Sequence, residues 1–173
     1  MNFEVFNISF LNWAASAVLL AGVVDDFLTR KVHNWLVLTA FGLALIACAL
    51  LSPELFWQKH LLGFFAALGL SLPLVLIGWL GAGDMKLLTV FGLLAGGHIT
   101  FQVLAFSFVW AAIWGLTLVC INGSLKTYLA NLKNILLFTN DRGLKLQAMP
   151  FTVPIFFGWM TYLKLESLHL QIF

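Results

Sequence analysis

Residues 99–121, ITFQVLAFSFVWAAIWGLTLVCI, hold no charged side chain over a length that matches a bilayer crossing. A membrane-spanning helix needs about 20 mostly apolar residues to cover the hydrocarbon core. Outward from this stretch the same signature recurs at residues 8–24, 35–51 and 61–80, in a short segment at 85–95 bounded by Gly96-Gly97, and at 151–168. The first, second, third and fifth segments carry the reading. The fourth is short, and the sixth contains Pro154 and bears Lys164 and Glu166 near its end.

Composition agrees. The chain of 173 residues is 62% hydrophobic and 9% charged, with a mean hydropathy of +1.01. Soluble domains carry about a quarter charged residues, so too few are present here to clothe a water-facing surface. The expected fold is all-α: one polytopic domain over 1–173, a bundle of six transmembrane helices. No basic block points to nucleic acid. Cys48 and Cys120 stand alone and read as small buried hydrophobes rather than a disulfide framework. Residues 1–10 lack Lys and Arg and contain Glu4, unlike a secretory leader, so the first segment is kept as a membrane helix.

Lys and Arg concentrate in cytoplasmic loops. Six spans with the N-terminus outside put Arg30, Lys31, Lys86, Lys126, Lys133, Arg142 and Lys145 on the cytoplasmic side, against Lys59 and Lys164 outside. The long connection over 122–149 repeats Leu125, Tyr128, Leu129, Leu132, Ile135 and Leu136 at three- and four-residue steps. That pattern is an amphipathic helix, lying on lipid or packed on the bundle.

Against this apolar background three of the seven acidic residues, Asp25, Asp26 and Asp84, border spans on the expected cytoplasmic side. An ionisable side chain at the edge of a membrane helix is a functional hypothesis by default, although an aspartate at a helix end can simply be solvated. A bundle can join a carboxylate of the first pair to Asp84 in GAGDMK, residues 81–86. Two adjacent carboxylates cannot both ionise easily and share a proton. The ionised one activates water while its protonated partner polarises a carbonyl, which hydrolyses amides without a metal. Gly81 and Gly83 are expected to let the backbone bend and a substrate strand approach Asp84. Lys86 either reaches the acidic pair or snorkels to lipid headgroups.

On these residues the chain resembles the prepilin peptidases, intramembrane aspartyl proteases with a Gly-x-Gly-Asp motif. Their first motif, an aspartate followed by basic residues and Ile-Pro-Asn, is similar to DFLTRKVHN at 26–34; their Gly-x-Gly-Asp-x-Lys is matched at 81–86. Aligning on Asn34 implies Asp26, not Asp25, as one catalytic residue and Asp84 as the other, with Gly81, Gly83, Lys86 and Asn34 in support. Met149-Pro150-Phe151, with Gly158 beyond, also resembles the family. His33 stands where proline is usual, a change expected to loosen the turn. The paired CxxC motifs of the larger, methylating members are missing, so the resemblance implies neither zinc, methyl transfer nor any cofactor. It implies removal of the short basic leader of a prepilin or pseudopilin at the cytoplasmic face of a bacterial inner membrane. The short architecture is similar to the peptidases of Flp-type pili.

Three other classes compete. An ion-coupled carrier would use Asp26, Asp84 and Lys86 as a relay, but spans one to five hold no charge at mid-depth and no inverted repeat is visible. A Mg²⁺-dependent transferase would want carboxylates a turn after Asp25 or Asp26, where Thr29 and Arg30 stand. A non-catalytic pilus-assembly scaffold would not need the intact acidic pair.

Overall fold

The structure, a computed structural model, describes residues 3–78, 80–122 and 151–168. Among these the chain is helical, without a strand. In order come α1 (Phe3–Thr29), α2 (Asn34–Leu51), a π-helical turn (Phe56–Leu61) running into α3 (Leu62–Leu76), α4 (Ala82–Ala95), α5 (Gly97–Asn122) and α6 (Thr152–Ser167). Four stretches are long and apolar enough to cross a membrane: Ser9–Thr29, Asn34–Leu51, Phe56–Leu76 and Gly97–Thr117. They coincide with the first, second, third and fifth apolar segments. α4 and α6 have only 14 and 16 residues. The amphipathic segment expected over 122–149 lies, beyond Asn122, outside the described residues.

α4 is the axis of the bundle. Every residue from Leu87 to Ala95 is buried, with α1, α2, α3, α5 and the π-helical turn packed around it. α6 joins through the edge of Trp159 on Phe91, ring centroids 5.1 Å apart. α1 meets the core along a seam of Asn7, Leu11, Ala15, Leu19, Gly22 and Asp26, all buried. These positions fall at steps of three and four, one helix face. The outer surface is apolar too: Trp13, Leu38, Leu43 and Leu76 are exposed, a surface suited to lipid rather than water.

Lipid offers little drive to press apolar helices together, so association relies on close packing of small residues. α3 presents Gly63, Ala67 and Ser71, a buried stripe at four-residue steps. A Cβ on Gly63 would overlap the Gly92 carbonyl, and one on Gly92 would stand 2.6 Å from Ala67 Cβ. α4 then reverses into α5 through the single residue Gly96, whose φ of 93° suits glycine. Both cysteines are free; Cys48 is buried, but Cys120 is exposed rather than buried. A thiol is apolar enough for an exposed position on such a helix.

Contacts fix the helix directions. α1 and α4 run antiparallel, with Gly22 against Leu87 and Asp26 beside Asp84. α2 and α4 run parallel, with Asn34 on Lys86 at one end and Cys48 on the Leu93 carbonyl at the other. The end of α1, the start of α2 and the start of α4 therefore meet at one end of the bundle.

Candidate active site

At that end α1 delivers two adjacent aspartates to different places. Asp26 continues the buried seam and is 9% exposed. Asp25, one residue earlier, lies off the seam and turns to the α1–α2 connection. The His33 backbone N–H donates to Asp25 Oδ2 at 2.7 Å, and His33 Nδ1 donates to Asp25 Oδ1 at 2.8 Å. The turn expected to be loose at His33 is thus tied to Asp25 through a backbone N–H that proline lacks. α1 itself stops at Arg30, in a left-handed conformation with φ 55°; its N–H donates to the Asp26 carbonyl at 2.7 Å.

Asp84 comes from the first turn of α4. Gly81 is the N-cap, and Asp84, three residues on, takes a backbone hydrogen bond from it, the geometry of a capping box. A Cβ on Gly81 would stand 2.9 Å from Asp84 Oδ2. Gly81 has φ −73° and ψ 146°, values open to any residue. The expectation of a bendable backbone is therefore replaced by a steric reason at Gly81: a side chain there would collide with the carboxyl group. Gly83 admits the α1–α2 turn, since its Cβ would stand 3.1 Å from Val32 Cβ. Asp84 is 8% exposed and sits at a helix N-terminus, where backbone N–H groups favour a carboxylate.

The two carboxylates come within electrostatic reach of each other. Thr152, the first residue of α6, joins them. Its Oγ1 donates to Asp26 Oδ2 at 2.7 Å, and its backbone N–H lies within reach of Asp84. That N–H belongs to the first turn of α6, where no carbonyl of the helix itself can receive it. Thr152 is wholly buried. Sequence reasoning stopped at Met149-Pro150-Phe151 and passed over it. The one signal was a hydroxyl residue opening an apolar segment, which reads as a helix cap. In the structure Phe151 occupies the cap position and the Thr152 hydroxyl crosses to α1.

Of the supporting residues, Lys86 and Asn34 meet each other. Lys86 Nζ donates to Asn34 Oδ1 at 2.7 Å, pinning the start of α2 to the start of α4. Lys86 is thereby tied to an amide beside the acidic pair. Asp26, Asp84, Gly81, Gly83, Asn34, Lys86 and Thr152 thus gather at one end of the bundle from four helices.

Two buried carboxyl groups sharing hydrogen-bond donors suit chemistry in which one holds a proton and its neighbour accepts one. Comparison with known proteins adds to the geometry. Neither the curated proteins nor the solved structures yielded a match. A family model, described as the type IV leader peptidase family, matches residues 13–116, more than half of the chain. The matched stretch runs from α1 into α5 and includes both aspartates, while Thr152 lies beyond it. On that match the chain belongs to the type IV leader peptidase family.

Proposed function

We propose that this leader peptidase is an intramembrane aspartic endopeptidase acting on prepilins or pseudopilins. It removes a short basic leader at the cytoplasmic face of a bacterial inner membrane, in pilus biogenesis of the type IV or Flp kind or in related secretion. The observation that carries the reading is the pairing of Asp26 and Asp84, drawn from separate helices to one buried place and bridged by Thr152. The orientation, six spans with the N-terminus outside, rests on the charge asymmetry: Arg30, Lys31 and Lys86 share the end of the bundle that holds the two aspartates, and Lys59 belongs to the other.

In the reaction this implies, the ionised carboxylate takes a proton from water as the water oxygen bonds to the scissile carbonyl carbon. The protonated partner gives its proton to the carbonyl oxygen. The resulting gem-diol collapses as the C–N bond breaks, and a carboxyl proton passes to the departing amine. One water is consumed, and the shared proton is restored to the pair. Lys86 and Asn34 hold the helix starts, and Gly81 leaves space for the Asp84 carboxyl.

The test is cleavage of epitope-tagged prepilins with short basic leaders, co-expressed with the full chain and read by gel shift and N-terminal mass spectrometry. Asp26→Asn and Asp84→Asn each abolish cleavage, while Asp25→Asn keeps much of it. An active Asp26→Asn with a dead Asp25→Asn overturns the residue assignment. A folded chain that cleaves none of the prepilins favours the scaffold reading instead.

A further inference from the structure

We infer that Thr152 is a positioning residue of the acidic pair: its hydroxyl, 2.7 Å from Asp26 Oδ2, holds that carboxylate in place beside Asp84. This rests on the reading of Asp26 and Asp84 as the proteolytic pair.

The other hydroxyls give the contrast. Ser16, Ser71, Thr89, Ser107 and Thr161 each donate to the carbonyl four residues back in their own helix. That is the usual outlet for a hydroxyl in an apolar helix. Thr152 begins its helix, and its hydroxyl spans to a carboxylate 126 residues away in sequence. A buried hydrogen bond to a charged group is among the stronger ones, and losing the donor strands the charge.

α6 is held in a way that makes the contact precise. Trp159 Nε1 donates to Ser16 Oγ at 2.7 Å, and the Trp159 ring meets Phe91 of α4. Gly158 lets α6 approach α5 so closely that a Cβ would stand 2.6 Å from Ser107 Oγ. α1 and α6 run antiparallel, Ser16 facing Trp159 and, about two turns away, Asp26 facing Thr152. Thr152, on a third helix, thereby meets the carboxylate that α1 delivers.

Among the described residues, charges that border the pair are few. Asp25 and His33 pair with each other on the α1–α2 turn, and Lys86 of α4 bonds to Asn34. Among the described residues of α6 the only charges, Lys164 and Glu166, lie near its other end. The Thr152 hydroxyl is therefore the polar side chain through which α6 reaches the pair.

The test uses the full chain in detergent micelles, with a prepilin that the unaltered chain cleaves. Thr152→Val keeps the shape and the backbone N–H but removes the hydroxyl. It should lower kcat about 10- to 100-fold with little change in KM, the range expected for a lost hydrogen bond to a charged group. The acid limb of its pH–rate profile should move to higher pH, because the ionised form of the pair loses a donor. Thr152→Ser should recover most of the rate and the original profile. Wild-type rate and profile in Thr152→Val overturn the inference, and so does equal loss in the Val and Ser variants with the fold intact. If the Val variant fails to fold, Thr152→Ala against Thr152→Ser decides by the same comparison. Activity of Asp26→Asn or Asp84→Asn would instead sink the reading of the pair itself, so the two failures are separable.

Discussion

Gly22→Ala is the sharpest test of how the helices deliver the pair. Gly22 lies one turn before Asp26 on α1, and Leu87 lies three residues after Asp84 on α4. A Cβ at position 22 would stand 2.5 Å from Leu87 Cδ2 and 2.8 Å from Cδ1. Carbon atoms pack best at about 3.5–4.0 Å, so roughly 1 Å of space must be found. Leu87 is wholly buried, as are Leu88 and Phe91 on its own helix, and close-packed surroundings leave it little room to swing away. The displacement therefore falls on the separation of α1 and α4, one turn from the carboxylates. Overpacking costs about 1–3 kcal/mol, and the better helix propensity of alanine returns about 1 kcal/mol, which leaves stability only modestly lower. A misplacement of about 1 Å can lower a rate about 100-fold, so the loss of activity should outrun the loss of stability. The assay is leader cleavage measured beside thermal unfolding in detergent. Gly42→Ala, where nothing lies within 4 Å of the new Cβ, should stay active. Adding Leu87→Ala should restore part of the Gly22→Ala activity, a coupling expected only of contacting residues. Wild-type cleavage by Gly22→Ala, or strict additivity in the double variant, refutes the argument.

Cleavage should fall on both sides of a pH optimum, since at low pH the pair lacks a base and at high pH it lacks a proton donor; a rate flat from acid to alkali contradicts a shared proton. His33→Pro should fold and cleave, because His33 already has φ −71°, which proline adopts; its unfolding midpoint should nonetheless drop as Asp25 loses both His33 donors. A cysteine placed after Thr29 should be labelled from the cytoplasm and one near Pro53 from outside; the reverse pattern overturns the orientation and the cytoplasmic cleavage with it.

Much of the fold was legible because lipid sets a length. The segments at 8–24, 35–51, 61–80 and 99–121 emerge as helices long and apolar enough to span. α4 and α6 were harder, since protein rather than lipid surrounds α4 and both helices are short. The choice between Asp25 and Asp26 came from a resemblance at Asn34, yet a physical signal was present in the chain. Asn7, Leu11, Ala15, Leu19, Gly22 and Asp26 form one helical seam, and its small members mark close packing. Thr152 was not legible. Its partners come from α1 and α4, and a threonine opening a helix reads locally as a cap. The reason for Gly81 was hidden too, because what a side chain would strike there is the Asp84 carboxyl itself.

The shortness of α4 has a physical logic of its own. Fourteen residues make a helix about 21 Å long, against a hydrocarbon core about 30 Å thick. A helix that short cannot carry both its ends to the headgroups. Open backbone groups at membrane depth are tolerated only where protein encloses them or water reaches them. Gly96 and Gly97 close one end of α4 against α3 and the π-helical turn, with Gly96 against Lys59 and Gly97 against Ala66. At the other end Gly81, the N-cap of α4, lies against the Asp84 carboxyl, and α1 and α6 bring Asp26 and Thr152 to the same place. On the proposed function, hydrolysis requires water beside a peptide bond of a membrane-anchored substrate. A short helix wrapped by longer ones provides such a place, with Asp84 buried at its start. On the proposed function, a full helical turn inserted between Asp84 and Leu87 would carry Asp84 about 5 Å along the bundle axis, away from Asp26, and the two carboxylates could no longer serve one water.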